Sequence, residues 1–270
     1  METKSETKAP FRERFWKAVK QPAFKVLQGV ERATVRYSKV GDKTFFDNDE
    51  FPWVKDLEAN WKVIRAELDE VLKERELVPS FQDVSKDQIA LSQDDKWKTF
   101  FLFGYGFKSE TNCARCPETT KLMEQIPGMK SAMFSILAPG KHIKDHRGPY
   151  KGVLRCHLGL IVPEPKEKIR IRVGNDFRHW EEGKCMVFDD TFNHEVWHEG
   201  NSQRVVLFID FVRPFRQPVK AINNGIIKAI AWSPFVQNAR KNLEAWEHNV
   251  EKIRKEAAQK QEAQEPMEQG

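Results

Sequence analysis

The sequence predicts a mainly β protein: an antiparallel double sheet of the jelly-roll type, with α-helices packed outside it. Three observations carry this. Five short apolar runs (132–138, 153–162, 169–173, 185–188 and 204–212) follow one another with no helical pattern between them. Turn signals separate them: Pro139-Gly140, Pro163-Glu-Pro165, Gly174-Asn-Asp176, Glu182-Gly183 and Gly200-Asn201. Helical periodicity is confined to the flanks, and strands at this spacing without crossover helices pair in two stacked layers.

Residues 1–40 are expected to form a basic amphipathic segment. Positions 1–38 hold nine Lys/Arg against four Asp/Glu, a surplus equal to the net charge of +5 for the whole chain. Phe11, Phe15, Trp16, Val19 and Phe24 lie among these charges, so peripheral contact with an anionic membrane is one reading and a packed surface helix the other. No run reaches the roughly 18–20 apolar residues that span a bilayer. No apolar core of a secretory signal is visible either. The expectation is a cytoplasmic protein, membrane-associated if that segment binds lipid. No nucleic-acid partner is expected.

Residues 41–218 are expected to be the main domain, with a helical part before the strands. Trp53, Leu57, Trp61, Ile64, Leu68, Val71 and Leu72 recur at three- and four-residue steps and predict one helix over 51–76. Lys96–Phe103 reads as a strand ended by Gly104-Tyr-Gly106, and Pro117 opens a short helix stopped by Pro127-Gly128. C-terminal helices are expected over 219–255, broken at Trp232-Ser-Pro234, and a disordered tail over 256–270. The four cysteines, including Cys113-Ala-Arg-Cys116, read as packing thiols, since a zinc ribbon needs a second such pair.

Six of the seven histidines lie between positions 142 and 198, inside the predicted sheets. His194-Glu-Val-Trp-His198 matches the zinc-protease signature. That chemistry requires a helix, and turns crowd this segment on both sides. His142, Asp145 and the lysines near them read as a solvated loop, with His146 in the loop after one strand and His194 in the loop before the last. His179 and His198 read as surface or packing residues. In Val153–Leu160, strand alternation puts Arg155 and His157 on one face, against Leu154, Cys156 and Leu158. Cationic and hydrogen-bonding groups on a buried face call for an anion or another partner.

Several segments together resemble the aspartyl/asparaginyl β-hydroxylase family over roughly residues 95–215. They are Ser135-Ile-Leu-Ala-Pro-Gly, His146-Arg-Gly-Pro, Leu154-Arg-Cys-His-Leu-Gly-Leu, Trp180-Glu-Glu-Gly-Lys, Phe188-Asp-Asp-Thr-Phe-Asn-His-Glu-Val-Trp197 and Arg204-Val-Val-Leu-Phe-Ile-Asp210. The family is also similar to bacterial lipid A acyl-chain hydroxylases. The resemblance implies a double-stranded β-helix and an Fe(II)- and 2-oxoglutarate-dependent dioxygenase that uses O2 to hydroxylate a C–H bond. By motif, His146 and His194 would bind iron. Ser135, Arg155, His157 and Arg204 would hold 2-oxoglutarate, with Arg204 on its far carboxylate. Asp190 would orient a metal-bound water. Position 148, where many iron oxygenases carry a carboxylate ligand, is glycine, and the resemblance implies that water takes that place. A protein or peptide, a lipid acyl chain and a small molecule are the substrate classes left open. A non-catalytic sensor on the same fold and a zinc protease are the remote alternatives.

Overall fold

The computed structural model describes residues 35–264, so nearly all of the basic segment 1–38 and the last six positions lie outside the described residues. Eleven strands form two antiparallel sheets. They are β1 (Phe45–Phe46), β2 (Trp97–Gly104), β3 (Phe107–Lys108), β4 (Met129–Leu137), β5 (His142–His146), β6 (Val153–Ile161), β7 (Ile169–Val173), β8 (Asp176–His179), β9 (Cys185–Phe188), β10 (His194–His198) and β11 (Arg204–Val212). The larger sheet runs in the order β1-β9-β6-β11-β4-β2-β3 and the smaller in the order β5-β10-β7-β8. This is the jelly-roll double sheet that the strand pattern predicts and the double-stranded β-helix that the resemblance implies. Gly140 and Gly174, at φ +73° and +61°, turn the chain where Pro139-Gly140 and Gly174-Asn-Asp176 signal it.

The large sheet is covered on both faces, which explains why β6 and β11 are apolar almost throughout. One face packs Phe134, Ile136, Cys156, Leu158, Leu207 and Ile209 against helices. Those helices include α1 (Trp53–Ala59), α2 (Trp61–Leu72) and, after the short α3 (Phe81–Val84) and α4 (Glu110–Arg115), α5 (Pro117–Gln125). The other face meets the small sheet through Leu137, Met186, Phe188 and Val206 against Ile143, Ile171, Val173 and Val196. The small sheet is solvated on its outer side. Its β7 alternates buried Ile169, Ile171 and Val173 with Arg170 and Arg172, which pair with Glu199 and Glu195.

Three expectations need correction. The periodicity over 51–76 spans two helices, because Asn60 leaves the helical region (φ −101°, ψ 9°) and its amide donates back to the Asp56 carbonyl at 2.8 Å. His142–Asp145 is strand β5 and not a loop, with Ile143 buried in the inter-sheet core and His142 paired with Glu195 at 2.7 Å. The break at Trp232–Pro234 is present between α6 (Val219–Ala231) and α7 (Pro234–Gln264), but α7 continues to Gln264, nine residues into the segment expected to be disordered. The cysteines are free thiols, all buried, and burial pushes the Cys116 thiol up to about 12, so these four are packing residues.

Candidate active site

The site lies between the sheets. It is built on strand alternation: Arg155 and His157 on β6, Ser135 on β4 and Arg204 on β11 all face the small sheet, which supplies His146 and His194. At the mouth, β5 and β10 pair antiparallel with His194 directly opposite His146. Both histidines are therefore strand residues; the loop placement expected for them is wrong by one element. Their ring centroids are 4.1 Å apart. His146 Nδ1 lies 2.8 Å from the Lys144 carbonyl and His194 Nδ1 lies 3.1 Å from the Phe192 carbonyl. A carbonyl only accepts, so each Nδ1 donates and each Nε2 keeps a bare lone pair. Burial, with His146 and Arg155 nearby, lowers His194 to about 3, and burial lowers His146 as well. Two neutral imidazoles fixed in the same tautomer are suited to a metal ion.

Gly148 is the third element of the mouth. Its amide donates to the Asp190 carbonyl at 2.7 Å. A Cβ at position 148 would stand 2.3 and 2.4 Å from the two Asp190 carboxylate oxygens, so Asp190 occupies the space a side chain there would need. Glycine is required by this close approach. The Asp190 carboxylate is buried and held by Arg155 at 2.9 Å, and Arg155 also binds Asp210 at 2.8 Å. Burial raises Asp190, with Arg155 opposing it. For Arg155, burial is outweighed by the two carboxylates, which keep the guanidinium charged. Asp189, next in sequence, is committed to Arg213 beneath the site, and Asp145 accepts from Asn193 on the rim. Neither reaches the histidines. Among the described residues no group of three or more His, Cys, Asp or Glu could hold a metal ion, so a metal here would rest on two histidines.

Deeper between the sheets the polar groups change character. Trp97 donates its indole N–H to Ser135 Oγ at 3.1 Å, which leaves the Ser135 hydroxyl free to donate. Trp180 donates to His157 Nδ1 at 3.3 Å. An indole only donates, so His157 carries its proton on Nε2, and that buried Nε2 has no partner. Burial, then Arg204 and Arg155, push His157 well below the usual histidine range, so it is neutral. Arg204 stacks over Trp180 with Cζ 4.6 Å from the ring centroid, and its Nε and Nη1 also lack partners. Burial alone lowers Arg204 to about 9, the mark of a buried cation without a counter-charge. Unsatisfied donors cluster here and no carboxylate among the described residues answers them, which fits an anionic ligand. The expectation for Arg155 shifts: it is saturated by Asp190 and Asp210, and it organises the mouth.

The sequence places His198 at the surface or in packing. It is buried on the inward face of β10 near Arg204, and neither ring nitrogen makes a well-formed hydrogen bond, although the Ser202 backbone is close. The alternation of β10 would have placed it on the His194 face. The same strand geometry removes the zinc-protease reading. Glu195 points to the opposite face and binds His142 and Arg172.

Fold and site together define a jelly-roll protein with a paired-histidine mouth and a donor-lined floor. The chain belongs to the aspartyl/asparaginyl β-hydroxylase family, whose model matches residues 58–214. It is 46% identical over 222 residues to an ornithine lipid ester-linked acyl 2-hydroxylase of Rhizobium tropici, covering 82% of this chain and 79% of that protein. It is 37% identical over 170 residues to the aspartyl/asparaginyl β-hydroxylase of Homo sapiens, covering 61% of this chain but 22% of that protein. A prolyl-4-hydroxylase structure from Pseudomonas putida aligns over 57% of this chain and 88% of its own at 15% identity, with a TM-score of 0.37.

Proposed function

We propose that this protein is an Fe(II)- and 2-oxoglutarate-dependent hydroxylase of a C–H bond. The observation that carries the reading is the cluster of unpartnered buried donors on His157 and Arg204, set deeper between the sheets than two neutral histidines with bare Nε2 atoms. His146 and His194 would hold the iron, and Arg204, His157 and Ser135 the 2-oxoglutarate. A planar guanidinium suits its far carboxylate. Bound together, iron and 2-oxoglutarate would supply the oxidation, in which O2, 2-oxoglutarate and R–H give R–OH, succinate and CO2.

The residues of the chain do the positioning. The Lys144 and Phe192 carbonyls fix the histidine tautomers. Asp190 fills the space that a side chain at 148 would need, and Arg155 opposes its protonation and aims it, so Asp190 would hold a metal-bound water. Phe188, Val196 and Val206 exclude bulk water between the two ends.

For the substrate, the acyl chain of a lipid is favoured. The match to the lipid hydroxylase spans 222 residues, well beyond the 157 of the family model, while the match to the aspartyl/asparaginyl β-hydroxylase spans 170. Both relatives' names describe oxidation of a methylene next to a carbonyl, the acyl C2 in one and the Asp or Asn β-carbon in the other. An Asp- or Asn-bearing peptide is therefore the second reading.

The test is succinate formation after anaerobic loading with Fe(II) and 2-oxoglutarate and admission of O2. Detergent-dispersed aminolipid is compared with Asp- and Asn-containing peptides, with His146→Ala as control. Turnover stimulated by the lipid and lost in the control is expected. Metal-independent turnover, or none with any substrate or uncoupled, would overturn the reading.

A further inference from the structure

One surface outside the pocket has a chemistry of its own. Along α6 and its C-cap, Ile222, Gly225, Ala229 and Trp232 recur at three- and four-residue steps and share a face. All four are exposed, Trp232 at 82% and Ile222 at 52%. A Cβ added at Gly225 would meet nothing within 4 Å. Beside this stripe runs a second one, Lys220, Asn224 and Lys228, also exposed. The buried side of the helix holds Val219, Asn223 and Ile227. Residues 211–243 contain six Lys/Arg and no Asp or Glu, in a chain where acids and bases are otherwise mixed. An exposed tryptophan at the end of an apolar stripe, flanked by lysines and free of acids, has the composition of an interfacial helix.

The helix does not cross a bilayer. Thirteen residues rise about 20 Å against a hydrocarbon core of about 30 Å, and no described helix is long and apolar enough to span. It is also fixed to the active site. Asn223 accepts from the Tyr150 hydroxyl at 2.7 Å and donates to the Gly152 carbonyl at 3.1 Å. Tyr150 and Val153 pack with Ile227. The segment 147–152 is the loop that carries Gly148 away from His146, so these contacts tie α6 to the loop at the mouth of the site.

We propose that α6 and the Trp232 corner form the platform that seats this protein on an anionic lipid surface, with the mouth of the site next to the bilayer. The proposal rests on the lipid reading above and supplies what that reading lacks, a way to present a membrane-embedded acyl chain. The stripe of Ile222 and Trp232 enters the headgroup boundary, and Lys220 and Lys228 meet lipid phosphates. The bilayer is preferred over a second copy of the chain because two lysine-flanked, acid-free faces would repel each other.

The test is flotation of the full chain with phosphatidylcholine vesicles, with and without phosphatidylglycerol. Three proteins are compared: wild type, Ile222→Ala/Trp232→Ala and Lys220→Gln/Lys228→Gln. Wild type is expected to bind the anionic vesicles and not the neutral ones. The lysine pair is expected to weaken binding roughly 25-fold, about fivefold per charge, and the apolar pair about tenfold or more. Both variants should keep wild-type succinate formation on detergent-dispersed lipid, since none of the four residues touches the pocket. Binding unchanged in both variants overturns the platform and leaves the hydroxylase reading intact. Loss of vesicle binding, with no lipid-stimulated turnover in wild type, keeps the platform and overturns the substrate reading. A dimer in solution that the apolar pair dissociates would assign the face to a second copy and also overturn the platform.

Discussion

The two ends of the pocket are built on opposite principles. At the mouth every donor and every carboxylate is answered by the protein, and only the two Nε2 lone pairs are left open: His146 and His194 Nδ1 meet backbone carbonyls, Asp190 meets Arg155, and Arg155 meets Asp210 as well. At the floor His157 Nε2 and the Nε and Nη1 of Arg204 are answered by nothing among the described residues. The mouth is preorganised for geometry, which a metal with two protein ligands needs. The floor keeps an uncompensated charge for a ligand to neutralise, so part of the binding energy there is relief of a strain already present in the fold.

The largest effect is expected at the mouth. His146→Ala or His194→Ala should abolish succinate formation and lower metal affinity beyond the roughly 10–100-fold typical of changes behind the ligands. Calorimetric titration with Zn(II) as a redox-silent substitute checks the affinity. Stoichiometric, tight binding in the double variant would place the metal elsewhere.

The next contrast is between the two arginines. Arg204→Met should raise the KM for 2-oxoglutarate roughly 30- to 3,000-fold, the cost of removing a buried charge from a charged partner. In the ligand-free protein the same change removes an unpaired cation, so it should leave unfolding stability unchanged or increased. Arg155→Met leaves Asp190 and Asp210 buried and unpaired and should destabilise by about 3–5 kcal/mol. Urea denaturation without ligand reads both. Equal destabilisation by the two substitutions would erase the distinction between mouth and floor.

A smaller effect tests Gly148. Its alanine variant must push Asp190 aside, and Asp190→Asn keeps the shape but removes the charge. Each should cost roughly 10–100-fold in kcat/KM, the range for groups that orient a ligand. Loss in Gly148→Ala without loss in Asp190→Asn would mean that space at this position matters and the carboxylate does not.

How much of this was legible in the sequence differs between the two ends. One residue of each end could be read from β6 alone, because strand alternation puts Arg155, of the mouth, and His157, of the floor, on one face whatever the partner strand is. Register was not legible. That His194 lies opposite His146 follows from the β5–β10 pairing, and β5 was hidden because His142–His146 carries charged residues on its exposed side. The role of Gly148 was visible only as an absence. Asp190 is forty-two positions away, and only folding brings its carboxylate onto that glycine. Nothing local in 51–76 showed that Asn60 would divide the helix, since apolar periodicity runs straight through it.

The smallest effect is a pH dependence, and it separates the ends once more. His157 and His194 are buried with lowered pKa values, His194 at about 3. The unfolded chain therefore takes up protons first as pH falls below about 6.5, and stability contributed by the neutral folded forms is lost below that value. Between pH 7 and 5.5 each histidine should cost about 1 kcal/mol of ligand-free stability, approaching about 1.4 kcal/mol per pH unit further down. His157→Leu should therefore make the decline shallower. Zinc should sharpen the distinction. At the mouth, metal and proton compete for His194 Nε2, so the stabilisation by zinc should shrink as pH falls. At the floor, the contribution of His157 should be the same with or without metal. If zinc removed the difference between wild type and His157→Leu, the two ends would be electrostatically one site, and the division between them would be lost.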